Sequence, residues 1–190
     1  SVKAGRDILF SSSSNLNFDT GLEQNGPGWF MVQAGRSIDL GTSKGIQSVS
    51  NTLNPALPSD AVFLAISAGF QEEVTGAAVA SFFEELRAAG LAYSRLQSEG
   101  RSEEAREYID AFRTTLEDTV FGHKAAFQNG NIDMTSSQIN TAGSGSLFLA
   151  VAGDLNVGRS SFFASEGARR STGVFTSAGG AINIFAGGDV

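Results

Sequence analysis

The sequence predicts a mainly β protein, a parallel β-helix interrupted by an α-helical hairpin, and three observations support this prediction. A short phrase recurs along the chain: glycine, any residue, an aliphatic residue, Asp or Asn, and a second aliphatic residue. Glycine is abundant at 23 residues while proline is rare at 3, as in turn-rich β structure. A central stretch changes from a period of two to one of 3.6 residues, which is typical of helices. We therefore predict a first part of the β-helix over 1–69, a helical insertion over 70–129 and a second part over 130–190.

Repeated phrases set the expected length of each turn of this repeat protein. Val2–Ile8 and Val32–Ile38 are nearly the same phrase thirty positions apart, and Val62–Gly69 matches Leu147–Gly153 almost residue for residue. We expect one corner of the coil to be occupied by Gly5, Gly35, Gly69, Gly130, Gly153 and Gly180. Four of the five steps between these glycines suit one turn, and the step of 61 residues requires an insertion.

Aliphatic residues alternate with polar ones within each predicted strand. Alternation places the aliphatic residues on one face and Asp or Asn on the other. We expect one outward row to contain Asp39, Asp133, Asn156 and Asn183. In a solenoid, the aliphatic residues of successive turns stack into a continuous core. A flat antiparallel sandwich could use similar strands, but it would not require the same phrase to recur at the same corner.

The insertion is predicted to be an antiparallel pair of helices. One apolar face runs from Val79 to Leu96 and a second from Ala105 to Val120. Gly100 is expected to end the first helix and Ser102 to cap the second. Of the 20 acidic and 13 basic residues of the chain, the insertion holds 11 and 6, so it carries most of the net charge of −7.

Composition and charge exclude several classes of function. The chain has no cysteine, so it has neither disulfides nor a thiolate nucleophile or metal ligand. A net charge of −7 argues against nucleic acid as a partner. No apolar run reaches the length of a membrane span. Ser1 does not begin a signal peptide and both ends resemble pieces of the repeat, so we expect a segment of a longer protein.

For every candidate residue, a structural role is a better explanation than a role in chemistry. We therefore predict no catalytic residue, no cofactor site and no metal site. Asp39 and Asp133 could act together as acid and base on a glycosidic bond. Two members of their row are Asn, however, which cannot ionise, and a solvated ladder of polar side chains is the simpler interpretation. His123 is the only histidine, and we expect it to complement the C-terminus of the second helix.

Other polar and aromatic candidates have similar structural interpretations. A lyase would place a basic residue beside a calcium-binding carboxylate cluster, but no dense acidic cluster lies near Arg159, Arg169 and Arg170. Trp29 follows Gly-Pro-Gly and could stack on a sugar, yet we expect it to cover the core from the rim. Gly187–Asp189 is too short for the calcium-binding nonapeptide. The paired glutamates are expected on solvated helix surfaces: Glu72–Glu73, Glu84–Glu85 and Glu103–Glu104.

Two phenylalanines are expected to point outward from the coil. Phe63 and Phe148 alternate with aliphatic residues that fill the inward positions, and we expect them at matching positions of two turns. Met31 points outward by the same count. Large apolar side chains on an outer wall need cover or mark an interaction surface. We therefore expect the hairpin to fold back over Phe63 and Phe148.

Three stretches carry a family resemblance: Val32–Leu40, Ile132–Gly158 and Ala181–Val190. They resemble the filamentous haemagglutinin family, large exoproteins that Gram-negative bacteria secrete by the two-partner route. The resemblance covers roughly two thirds of the chain, its β part. It implies a right-handed β-helix, passage through an outer-membrane transporter, and a secreted or cell-surface adhesin or the stalk of a contact-dependent toxin. The amino-terminal secretion domain of such proteins is not recognisable, which implies an internal or distal segment.

The function expected from this resemblance is non-enzymatic, namely a structural or adhesive segment of a surface filament or stalk. Its expected partners are the two-partner secretion transporter, through parts outside this chain, and a host or bacterial surface protein or glycan. We also expect end-to-end self-association through Val2–Ile8 or Ile182–Val190, because the edges of terminal turns invite pairing. The alternative is a carbohydrate-active β-helix enzyme, a polysaccharide lyase or hydrolase.

Overall fold

The computed structural model describes residues 1–10, 20–51, 54, 56–57, 62–70, 76–119, 130–158 and 172–190. The chain divides into two compact units. The β unit consists of Ser1–Gln71 together with Phe127–Val190, and the helical unit is Glu72–Ala126. The helical unit lies inside the region that was predicted to be an insertion, 70–129.

Thirteen strands of the described residues form three parallel sheets. They are β1 Val2–Ala4, β2 Ile8–Leu9, β3 Gly21–Asn25, β4 Gly28–Ala34, β5 Ile38–Asp39, β6 Gly45–Ser50, β7 Val62–Ala68, β8 Ile132–Asp133, β9 Gln138–Thr141, β10 Leu147–Val151, β11 Leu155–Asn156, β12 Gly173–Thr176 and β13 Ile182–Ala186. Sheet 1 has the order β1-β4-β7-β10-β13, sheet 2 the order β2-β5-β8-β11, and sheet 3 the order β3-β6-β9-β12. The chain thus visits the three sheets in rotation, and each of four passes adds one strand to each sheet before β13 joins sheet 1. The prediction of a mainly β protein with two helices is confirmed, and the parallel pairing is not that of an antiparallel sandwich.

Aliphatic side chains from the three sheets form one continuous core. Rows of register partners run through it, such as Val32, Ile66 and Leu149 in sheet 1. The fully buried members include Ile38, Ile46, Leu64, Ile132, Ile139 and Leu147, each with no exposed surface. The intervening Asp39 is exposed, as the period of two requires. The predicted stacking of aliphatic residues from successive passes is therefore present.

The register of sheet 1 corrects the predicted alignment of two similar phrases. Leu147 is the partner of Leu64, so Phe148 lies level with Ala65. Phe63 instead lies level with Trp29. The prediction that Phe63 and Phe148 occupy matching positions is therefore wrong by two residues. Both phrases alternate with a period of two, and a shift of two residues keeps the same face buried, so the pattern alone does not distinguish the two registers.

The glycine corner also differs from the prediction. Gly69 and Gly130 belong to one pass of the chain, on either side of the helices, and a Cβ at Gly130 would overlap the backbone of Gly69. Gly180 precedes β13 as Gly145 precedes β10, and a Cβ at Gly180 would overlap the carbonyl of Gly145. Gly180 therefore lies at a different corner from Gly153, and its predicted position is wrong. Gly130 and Gly180 each need to lack a Cβ because a neighbouring backbone approaches them closely.

Without the helical segment, the interrupted pass is about as long as the shortest pass of the β unit. Ile66 and Leu149 are register partners 83 positions apart, and removing the 59 residues of 71–129 leaves 24. The partners Ile132 and Leu155 are 23 positions apart. The shortest passes of the β unit therefore have the length that remains when the helical segment is taken out.

The helical unit contains two helices, α1 Gly76–Ser98 and α2 Ser102–Thr119. Among the side chains of these helices that the structure describes, the buried apolar ones are Val79, Phe82, Phe83, Ala89 and Ala105. Phe82 and Phe83 pack edge to face with ring centroids 4.8 Å apart. All five buried positions belong to the two predicted apolar faces. The ends of the second face, Leu116 and Val120, lie outside the described side chains.

The break between the helices follows the prediction at Gly100 and departs from it at Ser102. Gly100 has a positive φ of 76°, and its N–H donates to the carbonyl of Gln97, which ends α1. The Ser102 hydroxyl donates to the Gln97 side chain at 3.1 Å and does not cap a helix N–H. The Ala105 N–H donates instead to the Arg101 carbonyl, so α2 starts one residue earlier than a Ser102 cap requires.

Candidate functional site

The outward polar row of sheet 2 contains three of the four residues predicted for it. Asp39 is the register partner of Asp133, and Asp133 is the partner of Asn156. Asn183 lies in sheet 1, level with Phe148, so its predicted place in this row is wrong. The phrase Gly180–Ile184 has the same alternation as the sheet 2 strands, and so short a phrase does not specify a sheet.

Each member of this row closes the turn that follows its strand. The bonds are Gly41 N–H to Asp39 Oδ1 at 2.9 Å, Thr135 N–H to Asp133 Oδ1 at 3.1 Å and Gly158 N–H to Asn156 Oδ1 at 2.9 Å. An Asx side chain that binds the N–H two residues ahead mimics a backbone turn. Asn156 also donates from Nδ2 to Asp133 Oδ2 at 3.0 Å, which links two turns. This row can stabilise turns with Asp or Asn alike, because the N–H needs only an oxygen acceptor.

A second row, which the sequence interpretation missed, lies immediately before the sheet 2 strands. Its members are Asp7, Ser37, Asn131, Asp154 and Asp189, and we call this row the acceptor ladder. The side-chain oxygen of each of the first four members accepts the backbone N–H of the member in the next turn, and Asp189 takes part through its N–H. The bonds are Ser37 N–H to Asp7 Oδ1 at 3.1 Å, Asn131 N–H to Ser37 Oγ at 3.2 Å, Asp154 N–H to Asn131 Oδ1 at 2.9 Å and Asp189 N–H to Asp154 Oδ1 at 2.9 Å. The available signal was an oxygen-bearing side chain directly before Ile8, Ile38, Ile132 and Leu155.

The acceptor ladder begins with an ion pair between turns. Arg36 donates from Nε to Asp7 Oδ1 at 2.9 Å and from Nη2 to Asp7 Oδ2. This guanidinium, helped by the Ser37 N–H, lowers the pKa of Asp7 from 3.8 to about 2. The same contact raises the pKa of Arg36. The pair joins successive turns at the corner between sheets 1 and 2.

Three aromatic rings form a stack in sheet 1, which we call the aromatic stack. Trp29 stacks on Phe63 with centroids 4.9 Å apart and on Phe148 with centroids 5.6 Å apart. None of the three belongs to the aliphatic core. Trp29 lies within β4 and not in a turn at the rim, contrary to the prediction. Trp29 and Phe148 stack although β7 separates their strands, and the residue of β7 that is level with Phe148 is the small Ala65.

The structure describes some of the remaining candidate residues and leaves others outside the described ranges. Outside the described residues lie His123, Arg159, Arg169, Arg170 and Glu72–Glu73. Glu84, Glu85, Glu103 and Glu104 are exposed on the helices, as predicted. The predicted docking of the hairpin over Phe63 and Phe148 stays a prediction.

The described residues contain neither a cluster suited to a metal ion nor a helix suited to a membrane span. Within that part of the chain, no three His, Cys, Asp or Glu side chains lie close enough to hold a metal ion together. Nor does it contain a helix with the length and apolarity needed to cross a bilayer.

No protein-family model, curated protein or solved structure matches this chain. The resemblance to the filamentous haemagglutinin family therefore depends on the repeated phrases alone.

Proposed function

We propose that this chain is a segment of a right-handed parallel β-helix within a secreted exoprotein of the filamentous haemagglutinin family. The observation that supports this most is the strand order, because each sheet receives one strand from each successive pass in the same sequence. A chain coiling in one direction produces that order. Crossovers between parallel strands of one sheet are almost always right-handed, which favours this hand for the coil.

The segment acts as a rigid part of a filament or stalk at the surface of a Gram-negative bacterium. Its interior is filled by aliphatic rows, and the side-chain oxygens beside sheet 2 are used to hold turns together. Such an element is built for mechanical continuity along its axis. Its partners are an outer-membrane transporter, through other parts of the exoprotein, and a protein or glycan of a host or bacterial surface.

The chemistry of Asp133 argues against the alternative of a polysaccharide lyase or hydrolase. Acid–base catalysis of glycosidic bond cleavage needs a pair of carboxyl groups that are free to exchange protons. Asp133 Oδ1 accepts from the N–H and the hydroxyl of Thr135, and its Oδ2 accepts from Asn156. Both oxygens thus have structural partners.

Adhesion is tested by binding the labelled chain to epithelial cells, bacterial cells and immobilised glycans. We expect saturable binding to at least one of these surfaces. A second variant, with residues 71–129 replaced by a short Gly-Ser linker, assigns the binding to the β unit or the helical unit. Failure to bind any of them would remove the support for an adhesive role.

The enzymatic alternative has its own assay and a matched variant. The chain is incubated with acidic polysaccharides, and unsaturated and reducing ends are measured. Asp133→Asn removes the carboxylate but keeps the turn, because Asn156 makes the equivalent bond in the next turn. We expect neither form to release ends. Release that is lost in Asp133→Asn would establish the enzyme and overturn the structural proposal.

A further inference from the structure

We propose that the outer face of sheet 3 binds a neutral oligosaccharide through the side chains of Gln47, Gln138, Asn140 and Phe175. The inference rests on the proposed adhesive role, for which it names a binding site and a class of ligand. The four residues belong to β6, β9 and β12, which are neighbouring strands of sheet 3. We call these four residues the amide face.

Alternation along β9 places the amide face on the outside of the coil. Ile139 belongs to the core and has no exposed surface. Gln138 and Asn140 flank it in the strand, so both point away from the core. Asn140 is the register partner of Gln47 on one side and of Phe175 on the other. Because neighbouring strands lie about 4.8 Å apart, the row from Gln47 to Phe175 spans roughly 10 Å, a length that suits two sugar units.

The Asn140 amide is available to a ligand. Asn140 is 5% exposed, and within the described residues its side chain makes no hydrogen bond. No completely buried side-chain nitrogen or oxygen in that part of the chain lacks a partner, so the small exposed area of Asn140 includes its amide. A nearly buried amide normally has a partner. A sugar hydroxyl, which donates and accepts, could bond to either end of this one.

The two glutamines provide further donors and acceptors beside Asn140. Gln138 Nε2 donates to Gln47 Oε1 at 3.5 Å, which is longer than the usual range of about 2.7–3.2 Å. So long a bond is easily exchanged for one to a hydroxyl group. Gln138 is level with Gly173 of β12, where a Cβ would meet nothing within 4 Å. The space beside Gln138 is therefore open on that side.

The charges next to the amide face are already paired. Glu23 continues the row as the register partner of Gln47. Its Oε2 accepts from Lys44 Nζ at 2.8 Å and from Gln47 Nε2. The bond from Lys44, followed by that from Gln47, lowers the pKa of Glu23, which keeps this carboxylate ionised and paired. A ligand on the amide face therefore meets amide dipoles and a compensated pair, which favours a neutral molecule.

Phe175 provides the apolar part of the surface. It is half-buried, it lies outside the aliphatic core, and among the described residues it contacts no other ring. Sugars combine hydroxyl groups with an apolar face of C–H groups, so amides beside one aromatic ring match them. A further turn of the coil would lie beside β12 and leave this outer face open.

The strand pairing argues against a peptide as the ligand. β6 and β9 each have a parallel partner on both sides, so their backbone groups are used within sheet 3. A peptide that adds to a sheet needs an unpaired strand edge. The outer face offers side chains, and the oligosaccharide is the ligand that these side chains suit.

Binding is tested by isothermal titration calorimetry with neutral hexasaccharides of glucose, mannose, galactose or N-acetylglucosamine. A hexamer of galacturonic acid serves as the charged comparison. We expect the 190-residue chain to bind at least one neutral hexasaccharide more tightly than the charged hexamer. Its affinity should be the same at low and high salt, because no unpaired charge takes part.

Variants of the amide face assign this binding to its residues. Phe175→Ala removes the ring, and Asn140→Asp keeps the shape of the side chain but removes its N–H donors. Each should weaken binding roughly tenfold or more. Phe175→Trp keeps a ring and should bind like the wild type. Melting temperatures show which variants fold, and the two Phe175 variants decide the question if Asn140→Asp does not.

The controls carry matched changes on the helices. Tyr108→Ala removes an exposed ring from α2, and Ser94→Asp adds to α1 the charge that Asn140→Asp introduces. Both should bind like the wild type. A chain that binds no neutral hexasaccharide overturns the site, and so does binding that survives both Phe175→Ala and Asn140→Asp. A chain that binds cells while either result holds keeps its adhesive role and loses only this site.

Discussion

Side-chain oxygens hold the turns of the β unit together on both sides of the short sheet 2 strands. The residue before each strand accepts a bond from the next turn, and the last residue of β5, β8 and β11 closes its own turn. Asp, Asn and Ser all occur in the acceptor ladder, because the backbone N–H requires an acceptor and no charge. Each such hydrogen bond contributes about 0.5–1.5 kcal/mol net to the free energy of unfolding. The ladder therefore stabilises the β unit by several modest contributions.

The Asp7 carboxylate is the member of the ladder whose contribution depends on pH. Its pKa is lowered from 3.8 to about 2, so its stabilising effect is complete above pH 3.8 and is lost as the pH falls towards about 2. Asp7→Asn keeps an acceptor oxygen but removes the charge. We expect the melting temperature of the wild type to exceed that of Asp7→Asn above pH 4, and the difference to shrink between pH 3.8 and 2.

The partner residue provides the control for this pH dependence. Arg36→Gln removes the other half of the pair, so Asp7→Asn should change little in that background at any pH. A difference between wild type and Asp7→Asn that is constant from pH 2 to pH 7 would show that the ion pair is not its source.

Gly130 tests the close approach at the two ends of the insertion. An added Cβ would overlap the backbone of Gly69, which can give way only by moving the chain. We expect Gly130→Ala to lower the free energy of unfolding by about 1–3 kcal/mol or more. Gly90→Ala, in the exposed middle of α1, should raise it by about 0.5–1 kcal/mol. Urea unfolding monitored by circular dichroism measures both, and equal effects would contradict the predicted crowding.

At the scale of elements, the sequence predicts the type of each element better than its partners. The change from a period of two to one of 3.6 residues locates both helices, and Gly100 ends α1 as expected. Alternation also identifies the buried side of the strands around Ile38 and Ile132. These features depend on neighbours in sequence, which the pattern records directly.

The register of the strands and the corner at which each glycine lies cannot be predicted from neighbours in sequence. Sliding a strand by two residues keeps its buried face, so Phe148 was aligned with Phe63 although it lies level with Ala65. The pattern Gly-x-Ile-Asn-Ile fits a strand of sheet 1 as well as one of sheet 2. The sequence therefore predicts the wrong sheet for Asn183. The acceptor ladder is not recognisable in the sequence because its members have different residue types and have only a side-chain oxygen in common.

The helical segment is an element that we expect to be removable. Taking out 71–129 leaves a pass of 24 residues between Ile66 and Leu149, close to the 23 between Ile132 and Leu155. The variant with a Gly-Ser linker should therefore retain a cooperative β transition. Circular dichroism should lose helical signal while keeping the β signal, and Trp29 fluorescence should report an intact fold. A variant that is unfolded at room temperature would show that the β unit depends on the insertion.

At the scale of the whole β unit, stability is expected to fall from the middle towards the ends. A solenoid is stabilised by each turn and its contacts with the two neighbours, and an outer turn has one neighbour fewer. The exposures follow this order, since Ile132 is completely buried while Ile184 is 37% exposed and Leu9 is 67% exposed. Amide exchange should accordingly be slowest in β7, β8 and β10 and fastest in β2 and β13.

A matched pair of core truncations tests this gradient. Ile132→Ala removes a fully buried side chain from a central turn and should cost about 2–5 kcal/mol of unfolding free energy. Ile184→Ala removes the same atoms from an edge and should cost less than about 1 kcal/mol, because part of the side chain is already in water. Urea unfolding at low protein concentration measures both values for the isolated chain. A cost for Ile184→Ala equal to that of Ile132→Ala at low concentration would mean that the β unit is uniformly stable along its length.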